Sequence, residues 1–174
     1  MGEQKVCPVR SPGRAKVVTS ARWLDVRDEL TTGIAHLDNA CRMFDEFLLV
    51  GDDLRAYANR MALMHAMQAG YTSIEAGLDR ILHLLGEERP QGADWHKALL
   101  RRVASPLAEE RPAVLSAELY RRLDDLHRFR HVASRTYDTF EPGQAHPAVD
   151  AARHVVANLM AEVDAFQAQV DPPG

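Results

Sequence analysis

Apolar residues return along this chain at alternating spacings of three and four, and no segment alternates with a period of two. That is the rhythm of helices buried along one side, not of half-buried strands. From Ala21 to about Val50, Trp23, Leu30, Leu37 and Phe44 recur every seven residues. Val26, Gly33, Ala40 and Phe47 fill the offset row, and Ile34, Cys41 and Leu48 widen the stripe, so this span predicts an amphipathic helix. Gly51 ends it, and Asp52 or Asp53 can cap the next element. A second helix is predicted from about Asp53 to Leu85, on the stripe Leu54, Tyr57, Met61, Met64, Gln68, Tyr71, Glu75, Leu78, Leu82 and Leu85. "GEERPQGAD" (86–94) is a turn-rich break with Asp94 as N-cap, and a short helix follows from Trp95 to about Val103.

"SPLAEERPAVLS" reads as a loop with room for one helical turn, and Ser116 caps a fourth helix from Ala117 to about Phe140. After the "EPGQAH" turn, Pro147 sits at a first-turn position, where its missing N–H costs little. The last helix carries Val149, Ala152, Val156, Leu159, Val163, Phe166 and Val170 before "DPPG" stops it. Long apolar stripes and short connections imply an all-α, antiparallel bundle of four to five helices over residues 21–171. The seven-residue rows also suit a two-fold dimer face, since bundle and interface helices look alike in sequence.

Composition sets limits on this picture. The chain has 174 residues, enough for one domain with a single core. A formal net charge of -4 excludes nucleic-acid binding by bulk charge, so any RNA contact needs a local basic patch. Cys7 and Cys41 make neither a disulfide framework nor a metal-ligand spacing, which favours a reducing compartment. No apolar run approaches the roughly 18–20 residues that span a bilayer, and the first residues lack the apolar run of a secretion signal. The expected location is cytoplasmic. In residues 1–20, Lys5, Arg10, Arg14 and Lys16 stand against Glu3 alone, and Pro8, Pro12 and Gly13 interrupt any period. That composition predicts a flexible basic tail, whose functional counterpart would be an arm touching RNA or a partner.

Two features carry candidate chemistry. The first is Glu75, a carboxylate on an apolar stripe, which is costly unless it reaches water at an edge or finds a partner on another helix. Arg130 is the first candidate partner. The second is "RFRHVASRTY" (128–137) on the fourth helix. At about 100° per residue, Leu119, Leu123, Leu126, Ala133 and Phe140 mark the core side, and Arg130 and Tyr137 share its edge. His127 and Ser134 lie beside them, His131 and Arg135 share the next strip outward, and Arg128 lies farther round. Helix geometry alone equally describes a solvated basic face whose arginine stems pack well. His127 and His131 are four apart, but no acidic residue joins them in a zinc pattern, and no Gly-rich phosphate loop or Ser134-based triad is evident. The pattern calls for no metal and no cofactor.

These segments resemble the HEPN ribonucleases, whose signature is R-x4-H-x-Y on a late helix of a small bundle, and within them the HepT-like branch. The resemblance covers most of residues 22–170: "YTSIEAGLDRIL", then "ADWHKALL" with Trp95 and His96, then "LHRFRHVASRTYD", which is the most specific. Arg130 matches the motif arginine, His131 the polar residue after it, and Tyr137 the motif tyrosine. The motif histidine falls at position 135, where this chain has Arg135. The resemblance implies a homodimer in which arginine and histidine of two subunits meet and cleave RNA without metal, through the ribose 2'-OH. It also implies a toxin–antitoxin pair with an MNT-type nucleotidyltransferase, which can attach adenylate to the tyrosine, making Tyr137 a modification candidate.

A histidine takes and returns a proton near neutral pH, whereas arginine stays protonated, so Arg135 should impair the reaction. Three accounts fit it: a natural pseudo-enzyme that kept its binding surface, an inactivated variant of a toxic protein, or proton transfer taken over by His131 or His127. The catalytic candidates are Arg130, His131 and Arg135, supported by Glu75, Ser134 and His127. The alternatives are a non-catalytic subunit that binds a nucleotidyltransferase, and a structural helical dimer with no nucleic-acid role.

Overall fold

The computed structural model describes residues 20–135 and 142–172. Five α-helices follow in order: α1 (Ser20–Glu46), α2 (Leu54–Leu84), α3 (Trp95–Ala104), α4 (Ala117–Arg135) and α5 (His146–Val170), with a short 3-10 turn at Pro142–Ala145. Among the described residues no strand forms; Leu107 and Arg111 make an isolated antiparallel bridge. The expected all-helical bundle is what the chain adopts. The tail expected over residues 1–20 lies outside the described residues except for Ser20, which opens α1.

Helix α1 lies between α2 and α5 and runs antiparallel to both. Trp23 near its start donates from Nε1 to Asp171 Oδ2 at 3.1 Å, while Phe44 near its end meets the His146 ring edge-on at 4.7 Å. Along the same seam the Cys41 thiol donates to the Val149 carbonyl at 3.8 Å. Burial pushes the pKa of that thiol up to about 11, so Cys41 packs as a small apolar group rather than acting as a nucleophile. Helix α4 packs on α5 and α2, and the short α3 bridges α2 and α4. The core holds Leu30 and Leu37 of α1, Leu63, Ile74 and Leu78 of α2, Leu119 and Leu123 of α4, and Leu159 and Val163 of α5, all essentially inaccessible.

Several details depart from the sequence-based expectations. The first helix ends at Glu46, not near Val50, and Phe47 and Leu48 are exposed although they continue the apolar rows. Side chains of α2 supply the reason: Asn59 donates to the Leu48 carbonyl at 2.9 Å, and Arg60 donates to those of Leu49 and Gly51 at 2.9 and 2.8 Å. These carbonyls find partners outside a helix, and Leu49 turns into the core instead. Leu54 and Tyr57 open the predicted second stripe but are exposed, while Ala56 between them is the residue of that turn that is buried. Asp53 caps α2 through its side chain, accepting from Ala56 N at 2.8 Å, but Asp94 makes no such bond at the start of α3. Ser116 does cap α4, its Oγ accepting from Leu119 N at 3.1 Å.

The 105–116 loop forms no helix but makes one hydrogen-bonded turn, in which the N–H groups of Glu110 and Arg111 both reach the Leu107 carbonyl at 3.1 Å. It is tied down by Arg111, a buried guanidinium that the acid-rich loop sequence gave no reason to suspect. Arg111 donates to the carbonyls of Ser105, Pro112 and Arg102 at 3.0 Å each and pairs with Glu87 at 2.5 Å. Backbone N–H groups of Val114 and Leu115 both reach the Val103 carbonyl. The end of α3 is thereby fixed to the connector that precedes it, and α3 is held against α2 and α4. For α4, the described helix reaches Arg135; the expected continuation to Phe140 lies outside the described residues.

Candidate functional site

Three helices converge on one carboxylate. Tyr71 and Glu75 are four apart on α2, so they share a strip. His96 sits in the first turn of α3, and His127 and Arg130, three apart, share a strip of α4. Glu75 is only 4% exposed. Burying a carboxylate there is tolerable because it has three partners. Its Oε1 accepts from Tyr71 Oη at 3.2 Å and lies 2.5 Å from His96 Nδ1, while its Oε2 is 3.7 Å from Arg130 Nη1.

Donor and acceptor roles follow from the carboxylate. An ionised Glu75 only accepts, so Nδ1 of His96 carries a proton toward it. The Tyr71 hydroxyl is pushed well above its ordinary range, first by burial and then by the Glu75 charge. It therefore stays protonated and donates to Glu75, leaving its oxygen to accept. His127 Nδ1 stands 3.4 Å from that oxygen and is placed to donate to it. The rings stack in sequence: Trp95 on His96 with centroids 3.8 Å apart, His96 on His127 at 5.7 Å, and His127 on Tyr71 at 5.7 Å. Arg89 lies over the outer face of Trp95, 4.2 Å from the centroid, and pairs with Asp79 at 3.3 Å.

The Arg130 contact is electrostatic rather than a hydrogen bond, because 3.7 Å is beyond hydrogen-bonding range. The guanidinium, on a side chain 28% exposed, is thus oriented by Glu75 while its N–H donors stay uncommitted to it. An arginine in that state can take a phosphate oxygen pair in bidentate fashion.

Of the residues singled out in the sequence, the structure brings Glu75, His127 and Arg130 together. Glu75 has the partner its position demanded, and Arg130 is one, but His96 is closer. Arg128 points away, 72% exposed, and pairs with Asp124 on its own helix at 2.6 Å. The side chains of His131, Ser134 and Arg135, and all of Tyr137, lie outside the described residues. His96 and Tyr71 were not among the sequence candidates. The available signal was Glu75 itself: a carboxylate four residues from a stripe tyrosine asks for a network, and a histidine beside a tryptophan is a natural member. Among the described residues no group of histidine, cysteine, aspartate and glutamate is arranged to hold a metal ion. Nor is any of their helices long and apolar enough to cross a membrane.

A family model described as HepT-like protein matches residues 62–170, more than half of the chain. The matched span begins inside α2 and takes in α3, α4 and α5, so it includes every member of the Tyr71–Glu75–His96–His127–Arg130 cluster. No curated protein and no solved structure matches the chain.

Proposed function

The chain belongs to the HepT-like family of the HEPN superfamily, and from that premise we propose that it is a toxin of a prokaryotic toxin–antitoxin pair, a metal-independent endoribonuclease slowed by Arg135. The observation that carries this reading is Arg130. It stands at the edge of the core beside a buried carboxylate, oriented and yet with donors available for a phosphate. A purely solvated basic face would not need a buried Glu75 behind it. The substrate is RNA in the cytoplasm, and the test is cleavage of a labelled RNA by this chain and its Arg135→His variant, with growth after induction as the second readout.

The functional unit in this proposal is a homodimer with α4 at a two-fold interface. The net charge of -4 disfavours phosphate binding by a lone subunit, and two copies of Arg130 facing one cleft double the local positive charge. Small-angle scattering is expected to give a dimer with the two α4 helices facing each other; a stable monomer, or a dimer with α4 on its outer faces, contradicts this arrangement.

The partner is an MNT-type nucleotidyltransferase that attaches adenylate to Tyr137. Arg130 and Tyr137 are seven apart, so on a continued helix the adenylate would add negative charge and bulk beside the guanidinium and close the cleft to RNA. Incubation with such an enzyme and ATP is expected to add one adenylate mass, lost in Tyr137→Phe. Adenylate retained in that variant removes Tyr137 from the proposal.

A further inference from the structure

Position 135 lacks a group that can accept a proton, yet the site contains one on another helix. We propose that His96, held by Glu75, takes the ribose 2'-OH proton in this chain. This rests on the ribonuclease reading above.

The geometry for it is one carboxylate wide. His96 Nδ1 is bound to Glu75 Oε1 at 2.5 Å, and Arg130 Nη1 faces Oε2 of the same group at 3.7 Å. Imidazole and guanidinium are therefore fixed relative to each other through Glu75, one to handle a proton and the other a phosphate. Because Nδ1 is turned to the carboxylate, the basic lone pair of neutral His96 is on Nε2, on the far side of the ring. A carboxylate behind an imidazole fixes its tautomer and stabilises the imidazolium that forms when Nε2 takes a proton. Burial separates the two roles as well: the Glu75 side chain is 5% exposed and that of His96 is 20% exposed, so the carboxylate is sealed and the ring reaches the surface. Trp95 and His127 flank the ring, with centroids 3.8 and 5.7 Å away. His127 stands in a different position, with Nδ1 against the neutral Tyr71 hydroxyl rather than a carboxylate.

The step balances without a co-reactant. The 2'-oxygen attacks the adjacent phosphorus, its proton passes to His96 Nε2, and the new O–P bond forms. The P–O5' bond breaks, and the imidazolium returns the proton to the departing 5'-oxygen. The products are a 2',3'-cyclic phosphate end and a 5'-hydroxyl end, with Arg130 countering the charge on the phosphoryl oxygens. Glu75 acts as the positioning residue for both groups.

The test uses the full chain and a short single-stranded RNA, alongside the same strand with 2'-deoxyribose throughout. His96→Asn is the variant of choice, because the asparagine amide can still donate to Glu75 while Nε2 is deleted. The expected result is slow cleavage of the RNA and none of the deoxy strand by the parent chain, and a loss of about 100-fold or more in His96→Asn with RNA binding by fluorescence anisotropy unchanged. The shape of the pH–rate profile should change in the variant. The groups around His96 that bear on that profile are Glu75, which it contacts, His127, whose ring centroid is 5.7 Å away, Tyr71 and Arg130, which reach the same carboxylate, and Arg89, which lies over Trp95.

If His96→Asn does not fold, His96→Gly with added imidazole replaces it, and partial recovery of cleavage is then the expected result. A parent chain that cleaves while His96→Asn cleaves equally fast with the same pH profile overturns the role of His96 and leaves the ribonuclease reading standing. So does an inert parent beside an active Arg135→His variant. If neither the parent nor Arg135→His cleaves, the ribonuclease reading fails and His96 falls with it.

Discussion

Arg135→His is expected to raise RNA cleavage by about 10²–10⁴-fold, the range a positioned general base contributes, and to turn expression into growth arrest. The arginine at 135 is protonated at any working pH and cannot take a proton from a hydroxyl, while a histidine titrates near neutrality, at about 6.5 when unperturbed. The proposed phosphate partner is already in place. Position 135 lies on α4 five residues beyond Arg130, whose guanidinium already stands 3.7 Å from the buried Glu75. Within the histidine variant, Arg130→Ala is expected to abolish the gain, because charge developing on the phosphate loses its partner. Chelating divalent ions is expected to leave the rate unchanged, since charge neutralisation by arginine and proton transfer by histidine use none. Initial rates on labelled RNA and growth curves after induction are the measurements. If neither the parent nor the histidine variant cuts, or if cutting needs a divalent metal, that would falsify the ribonuclease reading and leave α4 as a partner-docking helix.

The fold was legible in the sequence because helical burial writes itself as a period. The apolar stripe of α5 from Val149 to Val170, and that of α2 from Met61 to Leu85, are the faces the bundle buries or half-buries. Where the period misleads, a side chain from another element intervenes. Phe47 and Leu48 continue the first helix on paper, but Asn59 and Arg60 bind the carbonyls that follow and end it at Glu46. The candidate site was legible in part, and for a chemical reason. A carboxylate at a core position needs either water at an edge or a partner on another helix, and Arg130 on the edge of α4 was the first partner to consider.

His96 was not legible, although it makes the shorter contact. Its pairing with Glu75 spans a connector whose path depends on tertiary contacts, above all on Arg111 gripping three carbonyls and Glu87. Nothing in "SPLAEERPAVLS" distinguishes a buried arginine from a solvated one. Position 135 behaves in the opposite way. Its residue type is read directly from the chain, and the chemistry it lacks follows from the side chain alone.

Gly33→Ala is expected to destabilise the protein by about 1–3 kcal/mol, the cost of overpacking a tight contact, and Gly33→Val by more. In an ordinary helix the sign is the reverse, since alanine is favoured over glycine by roughly 0.5–1 kcal/mol. Here α1 and α2 approach backbone to backbone. A Cβ at position 33 would stand 2.8 Å from the Gly70 carbonyl oxygen, 2.6 Å from Ile74 Cγ1 and 3.0 Å from Ile74 N. A side-chain methylene can turn aside, but a carbonyl inside a helix cannot, so the helices must part. The reciprocal position agrees: a Cβ at Gly70 would meet Leu37 at 2.7 Å and the Gly33 oxygen at 3.0 Å. The control is Gly143→Ala, whose Cβ would meet nothing within 4 Å, and which should melt with the parent. The effect reaches the site, because Gly70 precedes Tyr71 and Ile74 precedes Glu75. Any widening shifts the Tyr71–Glu75 strip against His96 on α3, so in the Arg135→His background Gly33→Ala should lose cleavage rate as well as melting temperature. Thermal unfolding followed by circular dichroism decides the first point. An alanine variant that melts at or above the parent temperature means that the two helices have room to spare, and that Glu75 is held in place by His96 and Tyr71 rather than by the closeness of α1.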